Sequence, residues 1–206
     1  MKSIIFDVDG TLWDTTEVVA KAWNRSIHES GKTSPNITSS VLKKEFGKTM
    51  DVIANNLFPD SSEREREQLL KKCCEYEHDA LRENTDNLLF DGVKETIEEL
   101  SRRCQLFIVS NCQSGYIELF MKKAGIEKCI KDYECFGDTG KSKGENIKLV
   151  IERNNLDDVV YVGDTLGDYE ASVFAGVPFI FAKYGFGNVP ACDFAISSIR
   201  QLLTYC

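Results

Sequence analysis

The sequence has no run of apolar residues that approaches the roughly 18 needed for a helix to span a bilayer. Met1 and Lys2 lead directly into a short apolar segment that contains an acid, so the pattern of a secretory signal peptide is absent as well. Positive charge is also scarce, with 25 Lys and Arg against 33 Asp and Glu and a formal net charge of −8. Because this balance disfavours nucleic acid and anionic membranes as partners, we expect a cytoplasmic protein that binds neither, and we predict no protein partner.

The eight cysteines lack the Cys-x-x-Cys pairs that are typical of structural zinc sites, and their spacing is irregular. A chain of 206 residues buries about 70% of its unfolded surface and does not need disulfides for stability. Since the sequence also lacks a secretory signal, we expect reduced and mostly buried thiols.

The pattern of apolar residues divides the chain into two regions. Residues 15–85 carry apolar side chains at helical spacing and no strand pattern, whereas short apolar strands alternate with helices from about residue 86 onward. Near-continuous apolar strands are typical of a parallel sheet that helices cover on both faces. The sequence therefore predicts an α/β fold, in which residues 1–14 and 86–206 form a doubly wound, Rossmann-like core and residues 15–85 form an inserted all-helical cap. The predicted core strands lie at residues 4–8, 105–109, 134–136, 159–162 and 179–181, and a closing helix is predicted at 197–203.

Two aspartates stand at the end of the first predicted strand. Asp7 and Asp9 flank Val8 in an apolar run that Gly10 and Thr11 end abruptly. Carboxylates held this close repel each other unless a cation or a shared proton compensates. The pattern favours a metal-assisted site at the end of the strand. The structural alternative is an Asp-Gly turn that happens to follow another acid.

Further polar residues follow the other predicted strands. Ser110 and Asn111 come after the second clear strand, and Asp164 and Asp168 come after the third. Lys143 opens a predicted helix behind a Ser-x-x-Glu capping pattern. Because open parallel sheets bind ligands beyond the carboxyl ends of their strands, we expect these residues to gather with the aspartate pair at one edge of the sheet.

These motifs, in this order along the whole chain, resemble those of the haloacid dehalogenase-like hydrolases, a large family dominated by magnesium-dependent phosphatases. Asp7-Val8-Asp9-Gly10-Thr11 is similar to the first motif of that family. The resemblance implies a phosphatase with a helical cap inserted after this motif, as in phosphoglycolate phosphatases and beta-phosphoglucomutases. The dehalogenases that named the family lack the second aspartate, so Asp9 favours phosphate esters as substrates.

The resemblance also implies roles for the residues of the first and second motifs. Asp7 corresponds to the nucleophile, which also binds the metal. Asp9 corresponds to the general acid, and its backbone carbonyl is a further metal ligand. Ser110 corresponds to the hydroxyl that holds a phosphate oxygen, with Asn111 and Thr11 as further substrate-binding residues.

The later motifs imply the rest of the site. Asp164 corresponds to a direct ligand of Mg²⁺, and Asp168 to the outer carboxylate that orients it. Many members carry a Lys-Pro-x-Pro third motif, whereas this chain has Lys141-Ser142-Lys143-Gly144. We assign the phosphate-neutralising role to Lys143, because it adjoins the capped helix, and Lys141 stays open as the alternative.

Residues 47–49 form a turn between two predicted cap helices, and the turn resembles the loop that such caps lower over the active site. Lys48 is therefore predicted to contact the distal part of the substrate, and an ordinary exposed lysine is the alternative. The predicted function is a Mg²⁺-dependent phosphatase that hydrolyses a small soluble phosphate monoester through an aspartyl-phosphate. One alternative function is that of a beta-phosphoglucomutase-like phosphomutase. The other is that of a non-catalytic phosphoacceptor or scaffold protein.

Overall fold

Six parallel strands form one sheet in the computed structural model, which describes residues 2–31, 36–190, 192 and 194–205. The strands are β1 (Ser3–Phe6), β2 (Gln105–Ser110), β3 (Ile130–Cys135), β4 (Val159–Gly163), β5 (Phe179–Ala182) and β6 (Phe194–Ile196). Their order across the sheet is β3-β2-β1-β4-β5-β6, so the chain starts in the middle and builds outward to both edges. This arrangement confirms the predicted doubly wound α/β fold.

Nine helices are described. They are α1 (Thr16–Glu29), α2 (Ser39–Glu45), α3 (Met50–Leu57), α4 (Glu63–Glu83), α5 (Val93–Leu100), α6 (Tyr116–Ala124), α7 (Phe136–Thr139), α8 (Lys143–Asn154) and α9 (Leu166–Ala175), and a 3₁₀ helix follows at Ile199–Thr204. The first four, which we call the helical segment, all come between β1 and β2 in the chain, and no strand interrupts them among the described residues. The boundaries of core and cap at residues 14/15 and 85/86 stay a prediction.

The three central strands consist almost entirely of buried apolar residues, because helices cover both of their faces. In register, Ile4 pairs with Leu106 of β2 on one side and with Val160 of β4 on the other. The carboxyl ends of β1, β2 and β4 therefore lie side by side. This places the segments that follow these strands next to one another at the edge where the polar motifs occur.

The structure differs from the predicted elements mainly at the sheet edges. Strand β3 begins at Ile130, four residues before the predicted start, and β6 has no counterpart among the predicted strands. Both are edge strands, and their exposed positions carry polar residues or, at Phe194, an isolated aromatic that is 64% exposed. The closing helix is a 3₁₀ helix rather than an α-helix. The apolar pattern of a buried strand is absent at such edges.

The expectation of reduced thiols is wrong at Cys104, which is disulfide-bonded. Cysteine spacing along a chain does not reveal which sulfur atoms the fold brings together, because a disulfide depends on Cα positions in space. Six other cysteines have free thiols, namely Cys73, Cys74, Cys112, Cys129, Cys135 and Cys192. A search of the described residues finds no helix with the length and apolar character needed to cross a membrane.

Candidate active site

Asp7 directly follows β1, and its backbone N–H extends the strand by donating to the Val162 carbonyl at 2.9 Å. The side chain is buried. Its Oδ1 accepts a hydrogen bond from Lys143 Nζ at 2.8 Å, whereas its Oδ2 has no hydrogen-bond partner among the described residues. Burial raises the pKa of Asp7 to about 6, and the attraction of Lys143 limits this rise. Asp7 therefore presents one free carboxylate oxygen in a site with little solvent.

Lys143 stands at the start of α8, where the predicted capping box forms between Ser142 and Glu145. Its Nζ lies 2.5 Å from Asp168 Oδ1 and bridges this carboxylate to Asp7. Although burial lowers the pKa of Lys143, the two carboxylates raise it on balance, so the side chain stays charged. Lys141, the alternative candidate, is exposed. The structure thus places Lys143, and not Lys141, beside the first aspartate.

Asp168 lies in the first turn of α9 and both of its oxygens are occupied. Oδ2 accepts from the backbone N–H groups of Asp164 at 3.2 Å and Thr165 at 2.9 Å, and from the Thr165 hydroxyl at 2.7 Å. Oδ1 accepts from Lys143 and, at 3.3 Å, from the Tyr161 hydroxyl. With these bonds made, Asp168 is suited to hold its neighbours in place.

Asp164 follows β4 and faces Asp7 across the strand ends. Its Oδ2 accepts from the backbone N–H of Phe186 at 2.6 Å, and its Oδ1 is 3.4 Å from the Thr11 hydroxyl. Burial, together with the nearby carboxylates of Asp168 and Asp7, raises the pKa of Asp164 to about 8. Acids that repel each other in this way are stabilised by a cation placed between them.

The carboxylates of Asp7, Asp164 and Asp168 fit a hard divalent cation. One oxygen of each lies within 4.8 Å of the others, and oxygen donors are the ligands that Mg²⁺ prefers. Gly10 keeps this space open: its φ is +82°, and a Cβ there would come within 2.2 Å of Asp164 Oδ2. The residues present therefore fit Mg²⁺ without rearrangement of the backbone.

Asp9 is held in a different environment from Asp7. Its Oδ1 accepts from the Tyr116 hydroxyl at 2.7 Å and from the Thr15 hydroxyl at 3.3 Å. Burial raises the pKa of Asp9 to about 8, although the Tyr116 hydrogen bond opposes the rise. Asp9 is thus protonated near pH 7. Because both donors bond to Oδ1, Oδ2 is the oxygen suited to carry the proton.

Ser110 and Asn111 extend the site from the end of β2. Ser110 is buried, and its hydroxyl lies close enough to Asp7 to lower the pKa of that carboxyl. Asn111 Nδ2 donates to the Gly47 carbonyl at 2.8 Å, which joins the core to the helical segment. Asn111 Oδ1 is buried and, in the part of the chain that the structure describes, accepts no hydrogen bond.

A small cavity of about 20 Å³ lies between the strand ends and the helical segment. Asp9, Lys48, Ser110, Asn111 and Glu77 are among the residues that line it. This volume holds about one water molecule. Lys48 lines the cavity with its Nζ bonded to Glu45 Oε2 at 3.0 Å, and its contact with a substrate stays a prediction.

Sequence reasoning missed three residues of the site. Tyr116 and Glu77 occupy helix positions that read as ordinary packing or solvated positions, so no local signal distinguished them. Phe186, whose backbone N–H binds Asp164, lies between Gly185 and Gly187. That pair of glycines after β5 was a usable signal, because a Cβ at Gly185 would lie 2.4 Å from the Gly10 carbonyl and one at Gly187 would lie 2.5 Å from the Asp164 carbonyl.

Comparison with known families gives a match to the description "Haloacid dehalogenase-like hydrolase" over residues 4–182. The chain belongs to this hydrolase family. Among curated relatives, this hydrolase is 27% identical over 219 residues to a phosphoglycolate phosphatase of Vibrio parahaemolyticus. The alignment covers 98% of this chain and 95% of the relative. It is 26% identical over 189 residues to a phosphorylated carbohydrates phosphatase of Thermotoga maritima, and this alignment covers 88% of the chain and 84% of the relative.

Solved structures of this hydrolase family superpose over nearly the whole chain. A predicted phosphoglycolate phosphatase from Haemophilus somnus has a TM-score of 0.87 at 20% identity and covers 100% of this chain and 97% of its own. CbbY from Rhodobacter sphaeroides, in complex with phosphate, has a TM-score of 0.81 at 19% identity and covers 98% and 96%. The fold is therefore that of the family. The family match and the relatives named as phosphatases also confirm the predicted enzyme class, a phosphoric monoester hydrolase.

Proposed function

We propose that this hydrolase removes phosphate from a small soluble phosphate monoester in a Mg²⁺-dependent reaction that passes through an aspartyl-phosphate on Asp7. The observation that carries the proposal is the free Oδ2 of Asp7, a buried carboxylate oxygen without a partner among the described residues. It lies in a site where Lys143 and the acids Asp164 and Asp168 converge. A nucleophile and charge compensation are thus available within one small volume.

In the first step, Asp7 Oδ2 attacks phosphorus and the bond between phosphorus and the alcohol oxygen breaks. The electron pair of that bond goes to the leaving oxygen, which takes the proton of Asp9. In the second step, the Asp9 carboxylate accepts a proton from a water molecule as the water attacks phosphorus and releases Asp7. The raised pKa of Asp9 suits this exchange, because the carboxyl is protonated near pH 7 before the first step.

The other site residues hold the phosphoryl group and its charge. Lys143 keeps a positive charge beside Asp7 and offsets the negative charge that develops on the phosphoryl oxygens. Ser110, Asn111 and Thr11 are placed in this proposal as donors to those oxygens.

The metal is held by the same acidic cluster. Asp7, Asp164 and the backbone carbonyl of Asp9 would bind Mg²⁺, and Asp168 would orient Asp164 and Lys143. When bound, Mg²⁺ neutralises the repulsion between the carboxylates and the phosphate ester.

Two named relatives support a small phosphorylated metabolite as the substrate class. One relative is named for phosphoglycolate and the other for phosphorylated carbohydrates, both small phosphorylated molecules. We also propose that Lys48 contacts the part of the substrate distant from the phosphate, since it lines the cavity. Replacing Lys48 with Ala should then raise KM for the favoured substrate without loss of turnover.

The test is release of inorganic phosphate from p-nitrophenyl phosphate and a panel of phosphorylated metabolites, with Mg²⁺ and with EDTA. We expect turnover only with Mg²⁺, together with a phosphoryl adduct on Asp7 after rapid acid quench and peptide mass spectrometry. A product that is an isomeric sugar phosphate instead of free phosphate, with a hexose 1-phosphate as substrate, would favour the mutase alternative. Undiminished turnover in EDTA would contradict the proposal.

A further inference from the structure

The cavity beside Asp9 has a wall that the proposed chemistry does not use. We infer that Glu77 of the helical segment is a specificity-determining residue that selects phosphate esters of neutral, hydroxyl-bearing alcohols against esters whose alcohol carries a carboxylate. This inference rests on the proposed function and narrows its substrate class. It is carried by the position of Glu77, by an unpartnered acceptor next to it in the same cavity, and by the charges of the lining.

Glu77 is held by one hydrogen bond to each of its carboxylate oxygens. It lies on α4 with only 3% of its surface exposed, yet it lines the same cavity as Asp9. Oε2 accepts from Trp23 Nε1 at 2.7 Å and Oε1 accepts from Gln113 Nε2 at 3.0 Å. A carboxylate can accept about four hydrogen bonds, so each oxygen keeps a free acceptor position after these bonds are made. Trp23 and Gln113 fix the orientation of the carboxylate from two sides.

Asn111 adds a second acceptor in the same cavity. Its Nδ2 donates to the Gly47 carbonyl at 2.8 Å. This bond fixes the orientation of the amide and distinguishes its nitrogen end from its oxygen end. Its Oδ1 is buried without a partner among the described residues. A buried acceptor left unsatisfied is destabilising, so a ligand that donates to it is favoured. Hydroxyl groups supply such donors and carboxylates do not.

The charged residues that line the cavity also favour a neutral alcohol. Two of the lining residues, Asp9 and Glu77, carry carboxyl groups. Lys48 is the single cation among the described lining residues, and its ammonium is bonded to Glu45 at 3.0 Å. An alcohol with its own carboxylate would bring a negative charge beside these carboxyl groups without an uncompensated cation to receive it.

The position of Asp9 sets where the alcohol lies. The proposed proton transfer requires the leaving oxygen to be within hydrogen-bond reach of Asp9. The carbon skeleton attached to that oxygen is then directed toward the wall that Glu77 and Asn111 form beside Asp9. The distinction between alcohols is therefore made next to the bond that breaks.

The experiment measures kcat/KM of the wild type in Mg²⁺ for glycerol 1-phosphate, a hydroxyl-bearing ester, and for phosphoglycolate, a carboxylate-bearing one. We expect glycerol 1-phosphate to be preferred by about tenfold or more, the discrimination typical of one or two polar contacts. In Glu77→Gln, the ratio of the two values should fall by about tenfold. Glu75→Gln, which changes an exposed acid of the same helix, should keep the wild-type ratio.

Three outcomes would overturn the inference. A wild type that prefers phosphoglycolate contradicts it directly, and this comparison decides the matter even when Glu77→Gln does not fold. A folded Glu77→Gln variant that keeps the wild-type ratio contradicts the role of Glu77. A wild type without activity on both esters and on p-nitrophenyl phosphate overturns the proposed function and the inference together, whereas turnover of p-nitrophenyl phosphate with the wrong ratio overturns the inference alone.

Discussion

The strand-end site and the cavity wall contributed by the helical segment are both buried and acidic, but they are held together in different ways. At the strand ends, Lys143 bridges Asp7 and Asp168, so two carboxylates share one cation. In the cavity wall, neutral donors hold Glu77, and Lys48 is paired with its near neighbour Glu45. The first region, which also contains Asp164, keeps an excess of acids that a divalent cation would offset. The second leaves acceptors open toward a ligand, as selection requires.

The largest effect that this comparison predicts concerns the nucleophile. Asp7→Asn should reduce kcat by at least about 10³-fold for every phosphate ester, because an amide cannot form the phosphoryl adduct. The fold should persist, because the side chain keeps its shape and Lys143 keeps Asp168 as a partner. Steady-state kinetics and thermal unfolding measure the two effects. Asp157→Asn, at an exposed position, is the matched control, and comparable activity in the two variants would refute the role of Asp7.

The bridging lysine should show the next largest effect. Lys143→Met leaves two buried carboxylates without their shared cation, so we expect a loss of about 3–5 kcal/mol in the free energy of unfolding. We also expect kcat to fall by about 10²-fold or more. Lys141→Met is the control, because that side chain is exposed two residues away. Denaturant titration measures the free energy of unfolding of both variants, and phosphate release measures their kcat. Equal values for the two variants would contradict the role of the Lys143 bridge.

A substitution at Gly10 tests whether the strand-end site depends on the close approach of the backbone to Asp164 as well as on charge. Gly10→Ala should lower kcat by about tenfold or more and destabilise the fold by about 1–3 kcal/mol, because a Cβ would meet Asp164 Oδ2 at 2.2 Å and φ is +82°. Gly176→Ala is matched in backbone, with φ +76° and no atom within 4 Å of the added Cβ. Both variants place an alanine in the left-handed region, so the difference between their kinetics isolates the contact with Asp164.

The same contrast explains what could be predicted from the sequence. Local rules place Asp7, Ser110 and Asp164 correctly in space, since each directly follows an apolar strand and parallel strands end at one edge. The capping box that begins α8 likewise orients Lys143, although Lys141 could not be excluded until both side chains were located. The approach of Asp7 to Lys143 spans 136 residues, and the choice of Lys143 depended on its place in the ordered series of family-like motifs as well as on the start of the helix.

The cavity wall follows no such local rule. Glu77 is one of several acids on α4 and differs from its neighbours only because Trp23, 54 residues earlier, and Gln113, 36 residues later, pack against it. Tyr116 likewise reaches Asp9 across 107 residues from a position with an ordinary helical pattern. Packing between the helical segment and the core decides these contacts, and periodicity within one element carries no information about them.

The last predicted effect is a difference in pH dependence that arises in the cavity wall. Burial raises the pKa of Glu77 from 4.5 to about 7, so folding favours the protonated carboxyl. The associated stability is fully present below pH 4.5 and is lost as pH rises from there through about 7. Relative to Glu77→Gln, which does not titrate, the wild type should lose roughly 3 kcal/mol of unfolding free energy over this range.

Urea titrations of both proteins in EDTA, at half-unit pH steps, measure this difference. Asp9 and Tyr116 are the titratable groups that sense Glu77 from the core, and both are present in wild type and variant. Glu75→Gln should follow the wild type at every pH. A wild type and a Glu77→Gln variant whose stabilities run parallel from pH 4.5 to 8 would show that Glu77 is solvated, and the cavity wall would then lack the buried carboxyl on which its contrast with the strand-end site depends.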